Sequence, residues 1–183
     1  MGRFLFLALG LFPSAGAVPA PLVIDPAQSH IEIVVKATVG SFVGKLPSFG
    51  AVITVDPEKK RIEQVAFGFH FSDIQTGNSG RDKDMLEWEQ AEKFPDARFV
   101  LSALQTAAGG NLQASGTLTL HGQSREITFP VTINQEHDLW SIDGEASLDT
   151  RDFGLPILRS YLLLTVDPVV RVRFHIQGNL ARP

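Results

Sequence analysis

Between residues 112 and 133 apolar and polar side chains alternate almost without a break, and this period of two limits what the chain can become. Leu112, Ala114, Gly116, Leu118 and Leu120 alternate with Gln113, Ser115, Thr117 and Thr119. His121-Gly122-Gln123-Ser124 then turns the chain into Ile127, Phe129, Val131 and Ile133. Successive side chains of a strand point to opposite faces, so the pattern predicts two half-buried antiparallel strands joined by a tight turn. Pro130 lacks a backbone donor, which predicts an exposed or bulged position in the second of them.

The same reading finds six more strands. They are marked by Ile31, Ile33 and Val35; by Phe49, Ala51, Ile53 and Val55; by Val65, Phe67, Phe69 and Phe71; and by Phe99 and Leu101. Trp140, Ile142, Gly144, Ala146 and Leu148 mark the seventh, and Val170, Val172, Phe174 and Ile176 the last. Asn78-Ser79 caps one predicted helix over 81–93, after the third strand, with Pro95 stopping it. Residues 151–164 break the alternation yet carry Leu162-Leu163-Leu164, so they are read as a packed lid or plug. Eight short strands joined by turns predict an all-β fold, an eight-stranded antiparallel barrel, because closure removes exposed edges. A two-sheet sandwich is the alternative. Such a barrel is either filled by side chains or holds one small ligand.

The first twenty residues read as an address. Arg3, the apolar run 4–12 and the small-residue sites Ala15-Gly16-Ala17 and Val18-Pro19-Ala20 have the layout of a cleaved secretory signal. Pro13 and Gly16 interrupt the run well short of the ~20 apolar residues that a spanning helix needs. The expected organisation is a signal over 1–20 and one domain over 21–183, exported to the periplasm or secreted.

The chain of 183 residues has no Cys, which excludes disulfides, thiol nucleophiles and zinc–thiolate sites. A net charge of -4 without a long basic run is poorly suited to a phosphate backbone, so nucleic acid is not an expected partner. His30, His70, His121, His137 and His175 form no close ligand pair, and no metal site is expected. The serines lack a nucleophile elbow. Asp82, Asp84, Glu87 and Glu89 read as a solvated helix face, and Asp152 as the ion partner of Arg151. Thr76–Gly80 could hold an anion before the helix, but a loop and helix cap explain it more simply. No catalytic residue is assigned.

Thirteen Phe against one Tyr supply apolar bulk without polar handles, suited to a core or to a lipid-facing wall. The inward set is Phe67, Phe69, Phe71, Leu118, Phe129, Trp140 and Phe174, read as the lipid-binding wall. Small residues at 114, 116, 144 and 146 on apolar faces leave room for a ligand or for the helix. Arg81 and Asp82 are read as structural, tying the helix to the barrel.

The punctuation residues add a resemblance. Asp25-Pro26-Ala27-Gln28-Ser29-His30-Ile31 opens the first strand, and Ile74-Gln75-Thr76-Gly77-Asn78 leads into Arg81-Asp82. Phe94-Pro95 precedes Arg98-Phe99, Gly116–Gly122 turns a hairpin, and Arg151-Asp152-Phe153-Gly154-Leu155 precedes the last strand. In this order they resemble the YceI-like family across essentially the whole mature chain. Asp84 and Ala37 stand where members often carry His.

The resemblance implies a lipocalin-like extended barrel in the bacterial periplasm that holds an amphiphilic lipid and is not an enzyme. The expected function is therefore an exported soluble binding protein. It holds an isoprenoid or fatty-chain lipid, of quinone or polyprenyl type, as carrier or scavenger, with no cofactor beyond that lipid. Transient contact with a membrane or membrane protein, and a homodimer, are compatible with this. The alternatives are a lipid-modifying enzyme with polar residues at the barrel mouth, or a filled barrel that serves as a partner-binding module.

Overall fold

The computed structural model describes residues 19–38, 40–160 and 164–181; the predicted signal lies outside them except for its last two residues. The strands are β1 (Ala20–Ile24), β2 (His30–Ala37), β3 (Gly40–Lys45), β4 (Gly50–Asp56), β5 (Arg61–His70) and β6 (Asp96–Thr106). They continue as β7 (Leu112–Leu120), β8 (Gln123–Glu136), β9 (Leu139–Asp149), β10 (Arg159–Ser160), β11 (Leu164–Thr165) and β12 (Val169–Leu180). One helix, α1 (Ser79–Glu89), follows β5, and short 3₁₀ turns cover Phe71–Asp73 and Thr150–Phe153.

Eight strands close an antiparallel ring in the order β1-β4-β5-β6-β7-β8-β9-β12, with β12 returning to β1. One edge of β12 serves two partners. Gly178–Leu180 pairs with Ile24–Leu22 of β1, and Arg171–His175 pairs with Val34–His30 of β2. Asp25–Ser29 separates them: the Asp25 N–H donates to the Gln177 carbonyl at 2.8 Å, and the Gln177 N–H donates to Ser29 Oγ at 3.0 Å. Pro26 supplies no donor, so the ladder is interrupted there. β2 then leaves the ring with β3 on its outer edge, and β3 meets Gln75 through paired backbone bonds of 2.9 and 2.8 Å. The mouth is therefore wider than the opposite end.

Alternation along β7 and β8 does what the sequence implies. Ala114, Leu118, Leu120, Phe129 and Val131 are buried, while Ser115–Thr128, Thr117–Glu126 and Thr119–Ser124 form a polar ladder outside at 2.8, 2.6 and 2.8 Å. His121 and Gly122 both have positive φ (47° and 69°), the conformation that matches a two-residue loop to the twist of its strands. Pro130 is exposed, one residue before β8–β9 pairing begins at Val131.

Several expectations need correction. β1 and β3 were not expected, so α1 follows the fifth strand. α1 spans 79–89; its Asn78 side chain accepts from the Arg81 N–H at 3.0 Å, and Gln90 in the left-handed region ends it well before Pro95. Phe71 belongs to a 3₁₀ turn, though it is buried.

Candidate functional site

Inside the ring lies an apolar cavity of about 760 Å³, within the ~300–1,000 Å³ typical of small-molecule sites. A filled barrel is thus not what forms. Val65, Phe67, Phe69, Ile127, Ile133 and Val172 all line this space and keep accessible surface. They do so because no side chain crosses from the opposite wall to cover them. Phe67, Phe69 and Phe71 run along β5 and past its end with ring centroids 6.0 and 5.4 Å apart. Phe99, Phe129 and Phe174 form a second aromatic track at 5.5 and 6.0 Å.

Six of the seven expected wall residues line the cavity: Phe67, Phe69, Phe71, Leu118, Phe129 and Phe174. Trp140 does not. It is completely buried with Leu22 and Val55 at the end where β1 closes the ring. One pleat separates it from Ile142, which does line the space. The expected room at small residues is half right. Ala114 and Ala146 line the cavity, but the places beside Gly116 and Gly144 are taken by the rings of Phe99 and Phe174.

The wide end is closed by two segments. α1 contributes Arg81, Met85 and Trp88, and the stretch after β9 contributes Leu155 and Leu158. Trp88 Nε1 donates to the Pro156 carbonyl at 2.8 Å and links them. Phe153 and Leu155 are each only 2% exposed, which fits the packed lid or plug expected of this stretch; residues 161–163 lie outside the described residues.

Asp82 accepts from the Thr76 N–H at 3.0 Å and from Thr76 Oγ1 at 2.5 Å, so the loop before α1 is already occupied by the chain's own carboxylate. Arg81 stacks on the Phe42 ring of β3, 4.1 Å from its centroid. Arg151 does not pair with Asp152. Its Nε donates to Asp149 Oδ1 at 2.9 Å, and this hydrogen-bonded pair holds the Asp149 carboxyl below the usual carboxylate range.

Glu89 is the residue that the sequence misplaces. It is 1% exposed, not solvated, and neither carboxylate oxygen has a hydrogen-bond partner. Burial pushes its pKa up to about 7; the His121 N–H points toward it and opposes the shift without reaching hydrogen-bond geometry. The only local hint is position: Glu89 stands four residues after Met85, on the helix face that carries the apolar contacts. His121 Nδ1 sits 3.2 Å from the Phe153 carbonyl. His30 and His175 stack at 5.3 Å outside the barrel, with His175 Nδ1 2.7 Å from Asp143. An apolar wall of this kind, with polar groups only at its mouth, can bind by burial and orient a ligand.

A YceI-like domain matches residues 22–178. The chain belongs to the YceI-like family. Among its relatives, a UPF0312 protein of Pseudomonas putida (strain W619) is 28% identical over 165 residues, covering 83% of this chain and 86% of that protein. A UPF0312 protein of Vibrio parahaemolyticus is 27% identical over 187 residues, covering 94% of each. Of solved structures, Burkholderia cenocepacia BcnA superposes with a TM-score of 0.74 at 22% identity, over 86% of this chain and 100% of BcnA. A polyisoprenoid binding domain from Saccharophagus degradans, implicated in plant cell wall breakdown, gives a TM-score of 0.66 at 12% identity. That match covers 90% of this chain and 100% of the domain. At these identities the structures share the barrel fold with this YceI-like chain.

Proposed function

We propose that this YceI-like protein is exported and holds one isoprenoid or fatty-chain lipid in its barrel, as a carrier or scavenger and not as an enzyme. The observation that carries the reading is the hollow, phenylalanine-lined interior of about 760 Å³. Burying each CH₂ is worth ~0.8 kcal/mol, so a five-carbon unit contributes about 3–4 kcal/mol gross. Several units offset the ~4–15 kcal/mol of freedom lost on association without any reactive residue. The fold shared with a polyisoprenoid binding domain supports the same chemistry. Export rests on the signal-like first twenty residues, and a quinone or polyprenyl chain is the ligand class that fits a long apolar cavity with one polar end.

The test is native purification, organic extraction and mass spectrometry of the extract. A stoichiometric prenyl or acyl lipid supports the reading. Protein that carries no lipid, and that after delipidation takes up neither an isoprenoid nor an acyl chain at micromolar concentration, refutes it. N-terminal sequencing of the exported form tests the leader: a chain beginning at Val18 or Pro21 is expected, and one still beginning near Met1 in the membrane fraction refutes cleavage.

A further inference from the structure

We infer that Arg81 receives an anionic head group, a phosphate or a carboxylate, at the end of the chain held in the barrel. This deepens the lipid-holding reading and rests on it. Among the described residues, Arg81 is the one basic side chain that lines the cavity. It sits on the third position of α1, at the wide end, held face-on by the Phe42 ring at 4.1 Å. The ring holds the cation but accepts no conventional hydrogen bond, and among the described residues none of the five guanidinium N–H donors has a hydrogen-bond partner. The one bond of Arg81 outside the helix ladder is from its backbone N–H to Asn78. None of the ion pairs among the described residues involves Arg81.

The nearby acids do not take up this charge. Asp82, its chain neighbour, is turned to the Thr76 N–H and hydroxyl. Asp167 accepts from the Val169 N–H at 2.9 Å. Asp84 lines the same end of the cavity but is exposed, where water and salt screen it. Glu89 lines the same end but is buried without a partner, which disfavours its charged form. A planar fork fixed beside an apolar chamber and lacking an acceptor suits a two-oxygen anion better than a hydroxyl.

The test titrates the delipidated protein with farnesyl monophosphate, palmitate, farnesol and inorganic phosphate, read by tryptophan fluorescence and calorimetry. The wild type should prefer farnesyl monophosphate or palmitate over farnesol by about tenfold or more, the range of a charge-assisted hydrogen bond. Which of the two is tighter identifies the oxyanion. In Arg81→Gln the preference should fall to about one, and Arg81→Lys, which keeps the charge but not the fork, should retain part of it. Inorganic phosphate should not bind at millimolar concentration, since the tail supplies the affinity. Equal binding of farnesol and the two anions by the wild type would overturn the inference. So would an Arg81→Gln variant that loses all three chains in proportion, or phosphate binding as tightly as its farnesyl ester. If none of the three chains binds, the lipid-holding reading itself fails, and this inference with it.

Discussion

The Phe174 ring fills the place that a Cβ on Gly144 would need. The two residues are Cα partners across β12 and β9. The bare backbone at 144 lets the ring lie over the neighbouring strand, where it meets Phe129 edge-on at 6.0 Å. Glycine here supports an aromatic wall. It does not leave a hole.

Gly144→Ala should therefore push Phe174 toward the cavity. Overpacking of this kind costs about 1–3 kcal/mol, and ligand capacity should fall with it. Thermal unfolding and lipid retention measured together check this; a variant with unchanged melting and binding would show that the ring has another place to go. Gly116→Ala should cost more stability, because its Cβ would meet the Val100 backbone carbonyl oxygen as well as the Phe99 ring.

Phe69 and Phe153 should respond in opposite ways to truncation. Phe69 lines the cavity and is half-buried, so Phe69→Ala enlarges a space that already exists. Phe153 is 2% exposed beneath the closing segment, and Phe153→Ala should cost about 3–5 kcal/mol through a new cavity. Phe69→Ala, and Phe129→Ala on the second aromatic track, should weaken lipid retention more than they lower the melting temperature of delipidated protein. Denaturant melts and retained-lipid assays separate the cases.

What was legible from the sequence follows the physics of alternation. Strands with one wet and one dry face, such as β7 and β12, declare themselves, and Phe67, Phe69 and Phe129 were placed inward on that ground alone. β1 and β3 were hidden for different reasons. Ala20–Ile24 has no clean alternation and abuts a leader-like stretch. In Gly40–Lys45 an inward position is Gly44, where the Ile74 side chain packs so close that a Cβ would come within 2.9 Å. Glu89 was hidden because its burial comes from the tertiary contact of α1 with the β7–β8 turn, and local polarity gives no sign of that. Trp140 had the right parity but the wrong depth, since period two sets a face and not a distance along the barrel.

The buried Glu89 should make stability fall with pH. Its folded pKa, about 7, lies above the ordinary 4.5, so the folded chain binds the extra proton. The benefit is complete below about pH 4.5 and is lost as pH rises through 7. The full swing is on the order of 3 kcal/mol. The wild type should thus lose melting temperature between pH 5 and 8 relative to Glu89→Gln, which should be the more stable of the two at pH 8. Parallel pH profiles for the two proteins would refute the burial effect.

The two tryptophans should divide the fluorescence response between them. Trp140 is completely buried and lies outside the cavity lining, so a ligand entering the barrel does not touch it. Trp88 lines the wide end, and its indole N–H is held by the Pro156 carbonyl at 2.8 Å. Lipid uptake changes the polarity around Trp88 and the seam it bridges, so a spectral shift on binding should survive Trp140→Phe and vanish in Trp88→Phe. Removing the Trp88 bond also frees α1 from the closing segment, which predicts faster lipid loss from Trp88→Phe at little cost to the barrel ladder. Stopped-flow release of a fluorescent acyl chain measures that rate. A signal that persists in Trp88→Phe and disappears in Trp140→Phe would instead place the ligand at the narrow end, against Leu22 and Val55.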